Sequence, residues 1–144
     1  MPPPASRSAS SAPSLALAAA AGLPLCAYLA TTSGHGYWLD SGEFVAAAAE
    51  LGISHPPGHP LAALVSAALT MLPLGSLAFR VALASALMAG AAAALFHRAV
   101  DRTLLVLGLP WRSVRIPLAL ATTWAVSAAS GFWLQGVRPE VYAL

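Results

Sequence analysis

Apolar residues fall into three runs of about 20 residues, separated by shorter intervals that contain most of the charged residues. The runs cover residues 14–32, 77–96 and 114–133. Because a helix rises about 1.5 Å per residue, each run is long enough to cross a hydrocarbon core of about 30 Å. The pattern therefore predicts an all-α polytopic membrane protein with about three transmembrane helices.

A fourth apolar run, residues 60–73, is shorter and is bounded by Pro60 and Pro73. We interpret it as a helix that lies at the membrane interface or re-enters it. If this run crossed the membrane, the arginine-rich segment that follows the second long run would lie outside, against the usual bias of such segments. The interfacial assignment is therefore preferred.

The segment between the second and third long runs determines the predicted topology. Short arginine-rich loops stay in the cytoplasm, and this one carries Arg98, Arg102, Arg112 and Arg115. The N-terminal tail, residues 1–13, is then a disordered cytoplasmic segment, and residues 14–144 form one membrane domain whose first loop, residues 33–76, lies outside. We expect an integral protein of a bacterial inner membrane. A cleaved signal peptide is the alternative interpretation of the first run.

Composition agrees with a membrane protein and excludes other classes. The chain is 58% hydrophobic and 8% charged, whereas about a quarter of the residues of soluble domains are charged. Its mean hydropathy is +0.74 and its isoelectric point is about 9.2. The arginines are scattered rather than clustered, which argues against nucleic acid as a partner and leaves membrane lipid as the expected one. With Cys26 as its single cysteine, the chain forms no internal disulfide.

The first predicted outward loop concentrates the polar chemistry of the chain. Residues 41–51 predict a helix that Asp40 or Ser41 caps and that Gly52 ends. At about 100° per residue, Glu43 and Glu50 share one face of this helix. The following His-Pro-Pro-Gly-His-Pro, residues 55–60, predicts a stiff turn with a positive φ at Gly58. Such a turn folds two histidines, His55 and His59, back over the acidic face.

Each of these residues also has a local structural interpretation. Asp40 followed by Glu43 has the spacing of a capping box. Glu50 is typical of a solvated helix charge. His55 and His59 have the spacing of a metal-binding pair on a helix, but the intervening Pro-Pro-Gly removes that geometry, so no metal site is assigned to them.

The ordered motifs of this loop resemble a known family. They are Asp-Ser-Gly-Glu-Phe (40–44), Leu-Gly-Ile (51–53), His-Pro-Pro-Gly-His-Pro (55–60), Leu-Pro-Leu-Gly (72–75), Phe-Arg-Val (79–81) and Pro-Glu-Val-Tyr-Ala-Leu (139–144). Residues 37–144 are similar to the N-terminal part of the domain-of-unknown-function 2723 family, which includes the transmembrane protein 260 type of protein O-mannosyltransferase. The resemblance implies the GT-C superfamily of polytopic glycosyltransferases.

The resemblance also implies an activity and a set of site residues. A polyprenyl-phosphate-linked sugar would be the donor and an extracytoplasmic protein or glycan the acceptor. Asp40 is the first choice for the catalytic carboxylate that acts at the acceptor, and Glu43 is the second. The residues expected to bind substrate are His55, Pro57, Gly58, His59, Arg80, Arg138 and Glu140. The family usually has tyrosine at the position of His59, so a hydroxyl role is lost there.

The chemistry of sugar transfer assigns roles to the remaining charged residues. The leaving lipid phosphate needs positive charge, for which Arg80 and Arg138 are the outward candidates, and Glu140 either joins the same pocket or pairs with Arg138. No cofactor is required. A divalent cation held by Asp40, Glu43 and Glu140 is compatible with the sequence, because carboxylate oxygens suit such ions.

The length of the chain is the main argument against a complete enzyme. GT-C enzymes carry many more spans than three, so we interpret the chain as an N-terminal fragment that is inactive alone. Two alternatives are a non-catalytic small membrane subunit, which the Ala/Gly-rich second run favours, and a transporter fragment. Ser85 is the one polar side chain in the middle of the second run, which is little support for a transport path.

Overall fold

The fold is a bundle of helices. The computed structural model describes residues 12–32, 34–35, 39–56 and 58–140, with side chains from residue 15 onward in the first helix. Over these ranges it contains six helices and no strand: α1 Ala12–Thr31, α2 Ser41–Glu50, α3 Pro60–Thr70, α4 Leu77–Val106, α5 Arg112–Ala128 and α6 Ser130–Gly136. The predicted all-α class is confirmed there. The predictions for Pro57, for residues 141–144 and for nearly all of the tail, residues 1–13, lie outside the described residues.

The central helix α4 is longer than the hydropathy pattern predicted. It begins where the second run begins, capped by the Ser76 hydroxyl, which accepts a hydrogen bond from the Phe79 N–H at 3.1 Å. It continues for 30 residues to Val106, through residues 97–106, which the sequence had assigned to a loop. This segment contains no proline or glycine, so nothing in it ends the helix. Gly108, at φ +89°, and the following proline end it.

Helix α4 is also the strongest candidate for a membrane span. Among the helices whose side chains are described, it is the one that is long and apolar enough to cross a bilayer, with a mean hydropathy of 1.8 in its most apolar window. The apolar stretches Leu15–Thr31 and Pro60–Thr70 are shorter. The fold therefore supplies one candidate span by length and composition, and the other two predicted spans stay predictions.

The third predicted run, residues 114–133, does not form one continuous helix. Helix α5 ends at Ala128 and α6 begins at Ser130, because Ala129 is extended, with φ −62° and ψ 138°. The next two residues, Ser130 and Gly131, are weaker helix formers than alanine, and the Ala129 carbonyl accepts the Trp133 N–H at 2.8 Å to start the new helix. The break turns α6 back against α4.

The core lies where α1, α4 and α6 meet. Tyr28 is fully buried there with Ala86 and Ala89. Its ring meets the edge of Trp133 at a centroid distance of 5.2 Å. Gly136 packs so closely on Tyr28 and Ala89 that an added Cβ would lie 3.2 Å from both. Small residues thus allow the close helix contact that the Ala/Gly-rich second run indicated.

Tyr28 also compensates for the break in the third run. The last carbonyls of a helix have no partner within it, and α5 ends just before Ala129. The Tyr28 hydroxyl donates to one of these carbonyls, that of Ser127, at 2.8 Å. One side chain of α1 therefore fills the core and satisfies the end of α5.

This dual role predicts a graded loss of stability at Tyr28. Tyr28→Ala should lower the free energy of unfolding by about 3–5 kcal/mol, because it empties a fully buried aromatic site. Tyr28→Phe should cost about 1 kcal/mol, because it leaves the Ser127 carbonyl unpaired but keeps the ring. Denaturant unfolding of the detergent-solubilised protein measures both. Leu23→Ala, at a side chain 54% exposed on the same helix, is the control, and equal effects at Tyr28 and Leu23 would contradict this account of the core.

Candidate acid–histidine site

The site is built on the first turn of α2 and on the turn that follows this helix. Asp40 is the residue before α2, and its backbone carbonyl accepts the Phe44 N–H at 3.1 Å. The helix ends at Leu51, which has a left-handed conformation with φ 53°, and the Gly52 N–H donates to the Ala47 carbonyl at 2.8 Å. The sequence predicted the helix correctly to within one residue but assigned its end to Gly52 rather than to Leu51.

The turn after α2 has the predicted conformation. Gly58 has φ +86°, and its N–H donates to the His55 carbonyl at 2.9 Å. The Ser54 hydroxyl donates to the Gly58 carbonyl at 3.3 Å. A side chain at Gly58 would be strained by this φ and would lie 3.0 Å from Ile53. The positive φ predicted from the Pro-Pro-Gly motif is confirmed, and it leads directly into His59, the N-terminal flank of α3.

The turn brings His55 onto the carboxylate of Glu43. The Nδ1 atom of His55 lies 2.9 Å from Glu43 Oε2, and the His55 backbone N–H donates to Glu43 Oε1. Both side chains are roughly half exposed. Glu43 thus holds His55 through two bonds, and the predicted folding of the turn over the acidic face is confirmed for this residue.

These contacts replace the capping box that the spacing of Asp40 and Glu43 suggested. Asp40 makes no side-chain hydrogen bond to the start of α2, and the Glu43 carboxylate is engaged by His55. The capping interpretation is therefore wrong for this pair. Asp40 is exposed.

Three carboxylates act electrostatically on His55. Its pKa is raised, chiefly because its ring bonds to Glu43 and further because the charges of Glu43, Asp40 and Glu140 favour the imidazolium, while desolvation opposes them. The pKa of Glu43 is lowered, first by its bond to the His55 ring and then by its bond to the His55 backbone. Asp40 and Glu43 are three residues apart and Glu140 follows about 100 residues later, and the charges of all three act on one imidazole.

Phe44 joins the two histidines in a small aromatic cluster. Its ring centroid lies 5.7 Å from that of His55 and 6.3 Å from that of His59. The two imidazoles are 6.3 Å apart and nearly perpendicular. At the position where the resembling family usually has tyrosine, His59 thus keeps an aromatic packing role. The sequence analysis gave Phe44 no role of its own and missed this contact.

Arg138 and Glu140 form an ion pair beside this loop. Arg138 Nη2 lies 3.2 Å from Glu140 Oε2, and the two side chains are 11% and 7% exposed. The structure contains the Arg138–Glu140 pair, which is one of the two alternatives that the sequence analysis gives for Glu140. The Nε atom of Arg138 is buried and has no hydrogen-bond partner among the described residues, so one donor of this guanidinium is unused there.

Two buried serines hold the segment that carries this ion pair. The Ser85 hydroxyl, on α4, lies 3.1 Å from the Glu140 N–H that donates to it and 3.0 Å from the Glu140 carbonyl. The Ser41 hydroxyl, on α2, donates to the Pro139 carbonyl at 3.0 Å. Sequence reasoning assigned neither serine to the site. A polar side chain inside an apolar run, as at Ser85, was the available signal, because such groups usually have a specific partner.

Arg80 does not join this cluster. Its Nη1 atom donates to the carbonyls of Thr70 and, at 3.1 Å, Leu72, and its Nε atom donates to the Ser76 carbonyl at 3.4 Å. The guanidinium therefore satisfies backbone carbonyls at the end of α3. The sequence predicted Arg80 as a substrate-binding residue, and that role stays a prediction.

The described residues do not enclose a chamber at this site. Glu140 lies between two crevices of about 10 Å³ each, a volume that holds about one water molecule. Over the described ranges, no three side chains of His, Cys, Asp or Glu are placed to hold a metal ion. The cluster is therefore one wall of a site, and a divalent cation shared by the three carboxylates stays a prediction.

The fold and the site together define a helical protein with a membrane-length apolar helix and an acid–histidine cluster on the loop before it. Residues 40–144 match the family described as Protein O-mannosyl-transferase TMEM260 N-terminal domain. This match covers well over half of the chain, and the chain belongs to that family. Together with α4, family membership indicates a membrane protein.

A curated relative agrees with this assignment. Protein O-mannosyl-transferase TMEM260 from Mus musculus is 48% identical over 64 residues, which are 44% of this chain and 9% of the mouse protein. The alignment thus spans a small part of that relative's length. No solved structure matches the chain.

The Glu43–His55 bond predicts a specific pH response. Because the folded pKa of His55 is raised, its contribution to stability is complete below its ordinary value of 6.5 and is lost as pH rises through the raised pKa. The lowered pKa of Glu43 makes its contribution complete above 4.5 and lost as pH falls through the lowered pKa. The Glu43–His55 bond should therefore stabilise the loop most strongly between pH 4.5 and pH 6.5.

Nuclear magnetic resonance titration of the His55 ring in detergent micelles measures this response. We expect the ring to titrate above 6.5 and Glu43→Gln to lower its midpoint. Glu50→Gln, at the other end of α2, is the matched control and should have a much smaller effect. A midpoint that Glu43→Gln does not lower would show that the bond does not form in solution.

Proposed function

We propose that this chain is the N-terminal part of a membrane glycosyltransferase that transfers a sugar from a polyprenyl-phosphate donor to an extracytoplasmic acceptor, with a protein hydroxyl as the favoured acceptor. The observation that carries the proposal is the Glu43–His55 contact at 2.9 Å beside the exposed Asp40, within a domain named for a protein O-mannosyl-transferase. The GT-C superfamily is part of this proposal. The rest of a longer protein would complete the site.

Asp40 is the proposed general base. Transfer to a hydroxyl requires a base within about 3 Å of the acceptor proton, and a carboxylate placed in this way contributes about 10²- to 10⁴-fold to the rate. Asp40 is exposed and makes no capping bond, whereas Glu43 is held by His55. Asp40 thus has the more available of the two carboxylates.

The reaction assigned to this base balances without a further reactant. Asp40 takes the proton of the acceptor hydroxyl while the oxygen of that hydroxyl forms a bond to the anomeric carbon of the sugar. The bond between that carbon and the lipid phosphate oxygen breaks, and the electron pair leaves with the phosphate. In this scheme Glu43 is a positioning residue that holds His55, while His55, His59 and Gly58 shape the wall of the site, with the undescribed Pro57 between them.

Positive charge for the leaving phosphate is assigned to Arg138 rather than to Arg80. Arg138 lies beside Glu140 and keeps a buried Nε–H that has no partner among the described residues. The guanidinium of Arg80 is used by carbonyls at the end of α3. A planar guanidinium suits phosphate oxygens, so the free donor of Arg138 is the better placed of the two.

The proposed topology follows from the position of this cluster on α4. Ser85 and the site lie near the start of that helix, and the arginines Arg98 and Arg102 lie near its end. The positive-inside bias then places the site outside and the arginines in the cytoplasm. A bacterial inner membrane is the proposed location.

A non-catalytic membrane subunit is the alternative function. The small crevices around Glu140 favour it, because an enzyme needs space for a sugar and a lipid phosphate. The two functions differ in whether the carboxylates matter for transfer or only for the fold.

Activity of the full-length gene product, reconstituted with a polyprenyl-phosphate sugar, tests the proposal. Asp40→Asn should lower the transfer rate by about 10²- to 10⁴-fold, because it removes the base. Glu43→Gln should have a smaller effect, because it loosens His55 but leaves Asp40. Glu50→Gln, an exposed acid on the same helix, is the control and should leave the rate unchanged.

All variants are compared at equal amounts of folded protein in the membrane. Equal rates for Asp40→Asn and Glu50→Gln would exclude Asp40 as the base, and no transfer by the wild type would favour the non-catalytic subunit.

A further inference from the structure

A second site lies at the other end of α4. The start of α1, the end of α4 and the start of α5 surround a partly open cavity of about 520 Å³. Along α4, Asp101 lies 16 residues after Ser85, which corresponds to about 24 Å at 1.5 Å per residue. The cavity is therefore well separated from the acid–histidine site. The polar side chains that line it are His97, Arg98, Asp101, Arg102, Arg112 and Arg115.

The cavity has a large excess of positive charge. Four arginines face one aspartate, and Asp101 is already paired with Arg115, whose Nε atom lies 2.6 Å from Asp101 Oδ1. Arg98 and Arg102 are exposed one turn apart on α4. Neither forms a hydrogen bond or ion pair with another described residue. The cavity thus presents the guanidinium groups of Arg98 and Arg102, which no described side chain pairs with.

His97 provides a second and independent sign of a ligand. It is 4% exposed and lines the cavity. Its Nδ1 atom is buried and has no hydrogen-bond partner within the described part of the chain. Buried side-chain nitrogens usually have a partner, so a ligand that the ring turns to meet would supply the hydrogen bond that this nitrogen lacks.

The positive-inside bias does not account for this arrangement. It explains why arginines occur at one end of a membrane helix, but dispersed arginines would satisfy it equally well. Here arginines from α4 and α5 converge on a single cavity, whose volume lies in the range of about 300–1,000 Å³ typical of small-molecule sites. The convergence requires a different explanation.

We propose that this cavity binds a phosphate group, carried either by an anionic lipid headgroup or by a soluble phosphate compound. Arginine forks match phosphate oxygens in geometry and charge, and the His97 ring is a buried polar group at the wall. This site is separate from the proposed transfer chemistry and does not depend on it.

Binding to the full-length gene product in detergent micelles tests the proposal and separates the two sources. The probes are short-chain phosphatidic acid, with short-chain phosphatidylcholine as the zwitterionic lipid control, and inorganic pyrophosphate. Saturable binding of phosphatidic acid alone would support a lipid headgroup, and saturable binding of pyrophosphate would support a soluble phosphate compound. Saturable binding of neither probe would overturn the site.

Variants at the cavity identify where the probe binds. Arg98→Ala with Arg102→Ala should weaken binding about tenfold or more, because two charged hydrogen-bond donors are lost. Both positions are exposed, so the fold should be retained, as thermal unfolding will show. Arg98→Lys with Arg102→Lys keeps the charge and should bind better than the alanine pair.

Asp101→Asn changes the charge in the opposite direction. It removes the one acid of the cavity and should bind the probe at least as tightly as the wild type. Binding that the paired alanine variant leaves unchanged, or that Asp101→Asn weakens as much as that variant does, would overturn the assignment.

Discussion

The hydroxyl of one buried serine on the central helix joins the two parts of the acid–histidine site. Ser85 contacts both the N–H and the carbonyl of Glu140, and Ser41 holds the preceding residue from the side of α2. These contacts hold residues 139 and 140 against α2 and α4, about 100 residues after Asp40 and Glu43 in the chain. The break at Ala129 is part of the same arrangement, because it turns α6 and the segment after it back toward α4.

Local chemistry made much of the loop predictable. Alanines and capping residues indicated α2, Pro-Pro-Gly indicated the turn at Gly58, and the position of that turn indicated that His55 would meet the acidic face. The remaining features depend on tertiary contacts or on the absence of a helix breaker, which hydropathy does not report. Ala129 interrupts the third apolar run, which the hydropathy pattern predicts to be one continuous helix. The hydroxyl of Tyr28 donates to a carbonyl at the resulting helix end. Helix α4 continues past its apolar run because no proline or glycine interrupts residues 97–106.

The same limits apply to the contacts of the predicted site residues. The Arg138–Glu140 pair was an alternative already open in the sequence, since the two residues are close along the chain. Arg80 was grouped with them by charge and predicted topology, but its guanidinium is used by the end of α3. Polar residues with backbone partners, such as Ser41 and Ser85, carry no charge pattern that would reveal their role. The two ends of α4 thus differ in their charged groups: carboxylates and a histidine lie near its start, and arginines lie near its end.

The most direct test of this account is a disulfide between the central helix and the segment that carries Glu140. Cys26 is first replaced by serine, and Ser85→Cys is combined with Glu140→Cys in the full-length gene product. Because the Ser85 hydroxyl contacts the Glu140 backbone, the two Cα atoms should lie within the range of about 4.4–6.8 Å that a disulfide requires. We expect rapid cross-linking under mild oxidation, and none for Leu95→Cys with Glu140→Cys, which pairs Glu140 with an exposed position further along α4. Equal cross-linking of both pairs, or of neither, would contradict the placement of Glu140 beside Ser85.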